Sequence, residues 1–129
     1  MKISYRIAGK LLMLCLLPLV MAGCGREDKV SFSQDVRPII DRNCIECHQV
    51  GGTGHEASGF NMETYEGLMK GTNFGAMIIA GDAEGSNMLV LMEGRADPSI
   101  SMPHGQRDPI PTKDLQTIRS WIDQGAKNN

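Results

Sequence analysis

Aromatic side chains are scarce in this chain: one Trp, two Tyr and three Phe among 129 residues. A domain of that size with so few large side chains cannot fill a broad core from its own atoms. Long apolar runs are also absent. The longest, Leu11–Val20, is well short of the roughly 20 residues that a membrane-spanning helix needs. Lys and Arg are never clustered, which removes the electrostatic footprint of nucleic-acid binding. The four cysteines are too few and too unevenly spread for a disulfide-stapled scaffold. No stretch alternates apolar and polar residues in the manner of a half-buried strand. The chain is therefore expected to be a single all-α domain that needs something large and apolar from outside its own side chains.

The start of the sequence looks like a targeting segment. Lys2, Arg6 and Lys10 precede the apolar run, and Val20-Met21-Ala22-Gly23-Cys24 resembles the lipobox of bacterial lipoproteins. That resemblance implies cleavage after Gly23, lipidation of Cys24 and export. Gly25 differs from the Asp that retains many lipoproteins at the inner membrane, which points to the periplasmic side of an outer membrane. Residues 1–23 carry three of the 13 basic residues and none of the 15 acidic ones, so the remaining 106 residues carry a net charge of −5. Residues 24–31 read as a tether, and 32–127 as the domain.

Helical signals run through the domain. Phe32, Val36, Ile39 and Ile40 share a face over 32–43, with Ser33 as cap and Pro38 tolerable only near a helix start. The glycine-rich stretch 49–60 reads as a loop. A short helix is expected over 63–70, capped by Asn61 and stopped by Gly71. Another, over 87–93, is capped by Ser86 and apolar on every side, so it should be buried. Residues 94–111 carry four prolines and no periodicity, and loops of that length usually serve function. Leu115, Ile118, Trp121 and Ile122 then form one stripe of a last helix, capped by Thr112 and ended by Gly125.

The chemistry is concentrated in Cys44-Ile45-Glu46-Cys47-His48, the C-x-x-C-H pattern of haem c attachment. Two thiols three positions apart can each add to one haem vinyl group, and the next residue offers an imidazole to the iron. Two rivals use the same atoms. A redox-active C-x-x-C pair usually opens a helix after a strand, and no strand precedes this one. A zinc site needs a fourth ligand, from His55 or His104, and three ligands within five residues fit a tetrahedron poorly. For the other axial position Met102 leads, in the proline-bearing loop before Pro103, with a soft sulfur donor suited to haem iron. His104 competes two residues away, while Met62, Met69, Met77, Met88 and Met92 read as packing residues. His55 should face solvent.

These motifs together are similar to the planctomycete-type cytochrome c domains. Phe32-x-x-Asp35-Val36-Arg37-Pro38-Ile39-Ile40 precedes the haem motif, and Ala80-Gly81-Asp82 with Ser86-x-x-Leu89 resembles their P-G-D-x-x-x-S-x-L segment. Met102-Pro103 resembles their M-P-P, and Ile118-x-x-Trp121-Ile122-x-x-Gly125-Ala126 their W-I-x-x-G-A. The resemblance implies a cytochrome c fold with first and last helices crossing beside the haem. It also implies one haem c bound through Cys44 and Cys47, with His48 proximal and Met102 distal. Ala80 and His104 stand where that family carries proline. The implied activity is one-electron transfer between redox-protein partners, without a small-molecule substrate or catalysis by the chain itself. A haem-based sensor, or an accessory haem subunit of a larger oxidoreductase, is the alternative.

Overall fold

A computed structural model describes residues 28–129. The leader and Cys24 lie outside the described residues. Among the described residues the chain is helical, with no named strand: a π turn over Phe32–Val36, α1 (Arg37–Asn43), α2 (Ile45–His48), α3 (Thr53–Ser58), α4 (Tyr65–Lys70), α5 (Asn87–Met92), a 3-10 turn over Pro98–Ile100, and α6 (Thr112–Asp123). This is the small all-α fold that the helical periodicities led us to expect.

The first helix begins at Phe32, yet Pro38 lies well inside it. A proline there would lack its N–H and press its ring on the carbonyl four residues back. The chain resolves the conflict by widening into a π turn, so that Arg37 N–H donates to the Phe32 carbonyl and the α-helix proper starts with Pro38 in its first turn. The cap is Ser31 rather than Ser33. Its hydroxyl accepts from Gln34 N at 3.3 Å, while its own N–H donates to Asp35 Oδ2 at 2.8 Å, a reciprocal cap. The 28–31 stretch, read as tether, lies against the domain here: Val30 N–H donates to Gln124 Oε1 at 2.8 Å.

Other caps also moved. Thr64, not Asn61, caps α4 by accepting from Gly67 N at 3.0 Å, while Asn61 takes the Glu63 N–H. Ser86 stands at the start of α5, but its hydroxyl donates to the Asp82 carbonyl at 2.7 Å and accepts from Ile79 N at 2.8 Å. It closes the preceding turn instead of capping the helix. The stretch 49–60, expected to be a loop, contains α3, which Gly59 ends at φ +75°. Thr112 is the first residue of α6, one place beyond the cap. Residues 94–111 hold only the 3-10 turn, as their prolines led us to expect.

The first and last helices pack on each other through aromatic rings. Phe32 lies 5.4 Å from Trp121 and 5.2 Å from Tyr65, centroid to centroid. Both polar tips are satisfied, Tyr65 Oη donating to the Ala126 carbonyl at 2.8 Å and Trp121 Nε1 to that of Lys127 at 2.9 Å. The end of α6 explains the Trp-to-Ala motif. Ala126 N–H reaches back to the Trp121 carbonyl at 2.8 Å and Gly125 N–H to Ile122 at 2.9 Å, with Gly125 at φ +98°. Val36, Ile40, Leu68, Leu89, Ile118 and Ile122 complete this side of the core. Phe32→Ala should cost about 3–5 kcal/mol, read as a lowered urea midpoint; a loss below about 1 kcal/mol would mean that the ring cluster is not the organiser of the helix crossing.

Candidate functional site

On the other side of the core the side chains stop short. They surround an open cavity of about 640 Å³, reached by α1, α2, α3, α5, the 72–77 turn and the 94–111 loop. Its walls are largely apolar, with Phe60, Met62, Met77, Met88, Leu91 and Ile110 among them. Among the described residues no Asp or Glu lines it, and Arg107 is its only Lys or Arg. This explains why α5 is less buried than its composition implied. Met88 and Leu89 enter the core, whereas Leu91 and Met92 are half-buried because Leu91 and Met92 face this space.

Cys44, Cys47 and His48 come together on one wall, as the motif required. Cys44 breaks the line between α1 and α2 (φ −121°, ψ −36°), and the short α2 then carries the second cysteine and the histidine. Both cysteines are free and half-buried. Burial pushes the Cys44 thiol up to about 11, and the neighbouring Cys47 adds to the rise. A redox-active C-x-x-C pair needs the opposite, a depressed thiol pKa. Nor do three His, Cys, Asp or Glu side chains converge in a metal-binding group among the described residues. Both rival readings of the motif lose support.

His48 is buried and held from several directions. Its Nδ1 lies 3.3 Å from the Phe60 carbonyl, to which the Nδ1–H tautomer donates, leaving Nε2 available to the cavity. The Phe60 ring meets the imidazole edge-on at 5.4 Å. Met62 N–H donates to the His48 carbonyl at 2.8 Å. Arg37 then fastens the same segment to α1 through the Met62 and Glu63 carbonyls, at 2.9 and 2.7 Å. Burial holds the imidazole below its usual pKa; the Phe60 carbonyl contact opposes this, and the nearby His104 and His55 add to it. The ring is therefore neutral at neutral pH, the state that binds a metal.

The glycines of α3 belong to this site, and sequence reasoning missed them. A Cβ on Gly52 would sit 2.5 Å from the Cys47 carbonyl oxygen, and one on Gly54 would sit 2.7 Å from His48 Cε1. They permit close approach; flexibility is not their role. Only the clustering of glycines just after the motif could have signalled this. Met102 lines the cavity from the 94–111 loop, half-buried, its N–H donating to the Leu91 carbonyl at 3.1 Å. His104 is exposed at the same cavity's edge, and His55 is half-buried rather than solvent-facing. Met62, Met77, Met88 and Met92 line the cavity as well, and Met62 and Met77, like Met102, stand outside any helix. Gly54→Ala should cost about 1–3 kcal/mol by overpacking and shift the His48 ring resonances; an unchanged urea midpoint with unchanged shifts would show that the ring has room to spare.

No curated protein and no solved structure matches the chain. Residues 44–104, which run from the first cysteine of the motif to His104 and include the 72–77 turn, α5 and Met102, match the family described as planctomycete cytochrome c. That family implies covalent haem c and haem-based electron transfer. Sequence motif, helical fold and apolar cavity agree with this match, so over residues 44–104 the chain is similar to the planctomycete cytochrome c family.

Proposed function

We propose that the chain is a single-haem electron carrier, tethered to the periplasmic side of a bacterial outer membrane by a lipid on Cys24, with His48 and Met102 as the axial ligands of the iron. The observation that carries this reading is the apolar cavity with Cys44, Cys47 and His48 on one wall and Met102 on a loop that closes another. The residues fit a haem. The volume lies within the roughly 300–1,000 Å³ of cofactor sites, the two thiols and the imidazole share one short helix and its cap, and Arg107 offers a guanidinium to the carboxylates that haem carries.

When bound, haem c supplies an iron that accepts and returns one electron. Cys44 and Cys47 would hold it by thioether bonds, so that an exported protein would not lose it. His48, kept neutral and oriented by the Phe60 carbonyl, offers Nε2. Met102 offers a soft thioether sulfur, which raises the potential relative to a second imidazole. Phe60, Leu91 and Ile110 keep water from the interior. With His48 and Met102 both holding the iron, a substrate would find no open position on it, which favours electron transfer over turnover. Phe74 and Ile100 line the cavity yet are 86% and 51% exposed. They mark its open side, where a small transient contact suffices for a redox-protein partner. A lipid on Cys24 would raise the local concentration of such partners by confining both to one surface.

One preparation from a host with cytochrome c maturation machinery tests the site. Its haem should survive denaturation and acid–acetone extraction, at one per chain. Met102→Ala should abolish the weak red charge-transfer band of thioether-ligated ferric haem, admit carbon monoxide and lower the midpoint potential. His104→Ala and Met77→Leu should leave all three unchanged. If His104→Ala opens the iron and Met102→Ala does not, the haem is bis-histidine and the proposed potential is wrong. Membrane attachment has its own check. Cys24→Ala should release the protein in soluble form, and acyl chains should appear on Cys24 of the native protein by mass spectrometry; an unmodified Cys24 would refute the anchor.

A further inference from the structure

Glu93 stands where α5 ends, and its carboxylate is the centre of a charge network outside the cavity. Arg119 of α6 donates to both of its oxygens, at 2.6 and 2.8 Å, and Arg95 donates to Oε2 at 2.7 Å. The same arginines reach Glu84, at 2.9 and 3.1 Å. The two carboxylates are not equivalent. The Glu84 side chain is 72% exposed and the Glu93 side chain 19%, so solvent screens the first pair and much less the second. Burial alone would raise the Glu93 carboxyl, but the donors on Arg119 and Arg95 outweigh it and hold the group below the usual range.

The backbone around Glu93 connects this network to the ligand loop. Glu93 N–H donates to the Leu89 carbonyl at 2.8 Å and Arg95 N–H to Val90 at 2.9 Å. The next carbonyl, that of Leu91, accepts from Met102 N–H at 3.1 Å. The last turn of α5 is thus pinned to α6 by one carboxylate, and the Met102 main chain hangs from that turn. Leu91 and Met92 of the same turn line the cavity, whereas Glu93 and Arg119 do not.

We propose that the Glu93–Arg119 pair is a positioning clamp for Met102: by holding the end of α5 against α6, it sets where the Leu91 carbonyl lies and so where the Met102 sulfur is presented. The proposal rests on the reading of Met102 as axial ligand. It requires an asymmetry, because Cys44, Cys47 and His48 are held by α1, α2, α3 and Phe60, none of which hydrogen-bonds or ion-pairs with Glu93 or Arg119. Loosening it frees the distal side and leaves the proximal side in place.

The test uses the holoprotein and its affinity for added imidazole, which competes with the thioether for iron. Glu93→Gln should raise that affinity on the order of three- to tenfold, a fraction of what a lost charge-assisted hydrogen bond contributes because only part of it reaches the loop, and should weaken the thioether charge-transfer band. Arg119→Lys keeps the charge but loses the fork by which Nη2 holds Glu93 while Nη1 holds Glu84. It should act in the same direction more weakly, and it serves if Glu93→Gln does not fold. Ile118→Val, in the core of the same helix, should lower the thermal midpoint without changing imidazole affinity. An equal rise in Ile118→Val would reduce the effect to general destabilisation and overturn the clamp. So would unchanged affinity in both charge variants while Met102→Ala raises it. If Met102→Ala itself alters neither band nor affinity, Met102 is not the ligand, and the clamp falls together with that reading.

Discussion

The space between α1, α3, α5 and the 94–111 loop is the constraint on which the rest of this structure depends. Its lining is apolar, and apolar surface facing water raises the free energy of the fold in proportion to its area. Leaving some 640 Å³ open in a domain this small would cost far more than the thin aromatic cluster around Trp121 returns. The chain is thus built as two half-cores. One closes on itself through Phe32, Tyr65 and Trp121. The other closes on a group that the sequence does not contain but binds covalently. The scarcity of aromatics and the C-x-x-C-H motif are two consequences of that division: one says that the centre is missing, the other says how it is fastened.

Much of this was legible in the residues. Helix existence followed from periodicity, most clearly in α6, where Leu115, Ile118, Trp121 and Ile122 fall on one stripe, and in the Gly125 stop. The attachment motif was legible because its chemistry demands a fixed local spacing. What was not legible depended on tertiary contact. Nothing local says that Ser86 will bond across its turn to Ile79 and Asp82 instead of capping α5, since both uses satisfy the same hydroxyl. The π turn was not foreseen because Pro38 was weighed against an ideal α-helix, when the chain could widen by one residue per turn. At the start of α3, Gly52 and Gly54 read as loop residues because sequence shows that a side chain is missing and not what stands in its place. Here it is the Cys47 carbonyl and the His48 ring.

The pattern of family-like residues becomes physical at the same level. Arg37, in the motif before the cysteines, is not near the cavity, yet its guanidinium bonds two carbonyls of the segment that orients His48. Asp82 and Ser86 hold one turn between α4 and α5, with Asp82 Oδ1 accepting the Gly85 N–H at 2.8 Å. Trp121 and Gly125-Ala126 are the two ends of one helix stop. Each motif fixes a backbone position some distance from the cofactor, and the cavity is the sum of those positions.

The two sides of the cavity are fixed unequally, and this bears on what the protein can vary. The proximal side is overdetermined: a carbonyl and a ring on His48, a backbone bond from Met62, two bonds from Arg37, and glycines that would clash if enlarged. The distal side depends on a long loop, one backbone bond from Met102 to Leu91, and an exposed contact between Arg107 and Glu46 at 2.9 Å. Surface pairs of that kind contribute little. On the ligation proposed above, changes on the His48 side would cost attachment and fold together, whereas changes on the Met102 side would alter the ligand field while the rest stands. If potential is the property to be adjusted, as the proposed function requires, that inequality would confine variation to the residues that can bear it: Met102, its neighbours His104 and Arg107, and the last turn of α5.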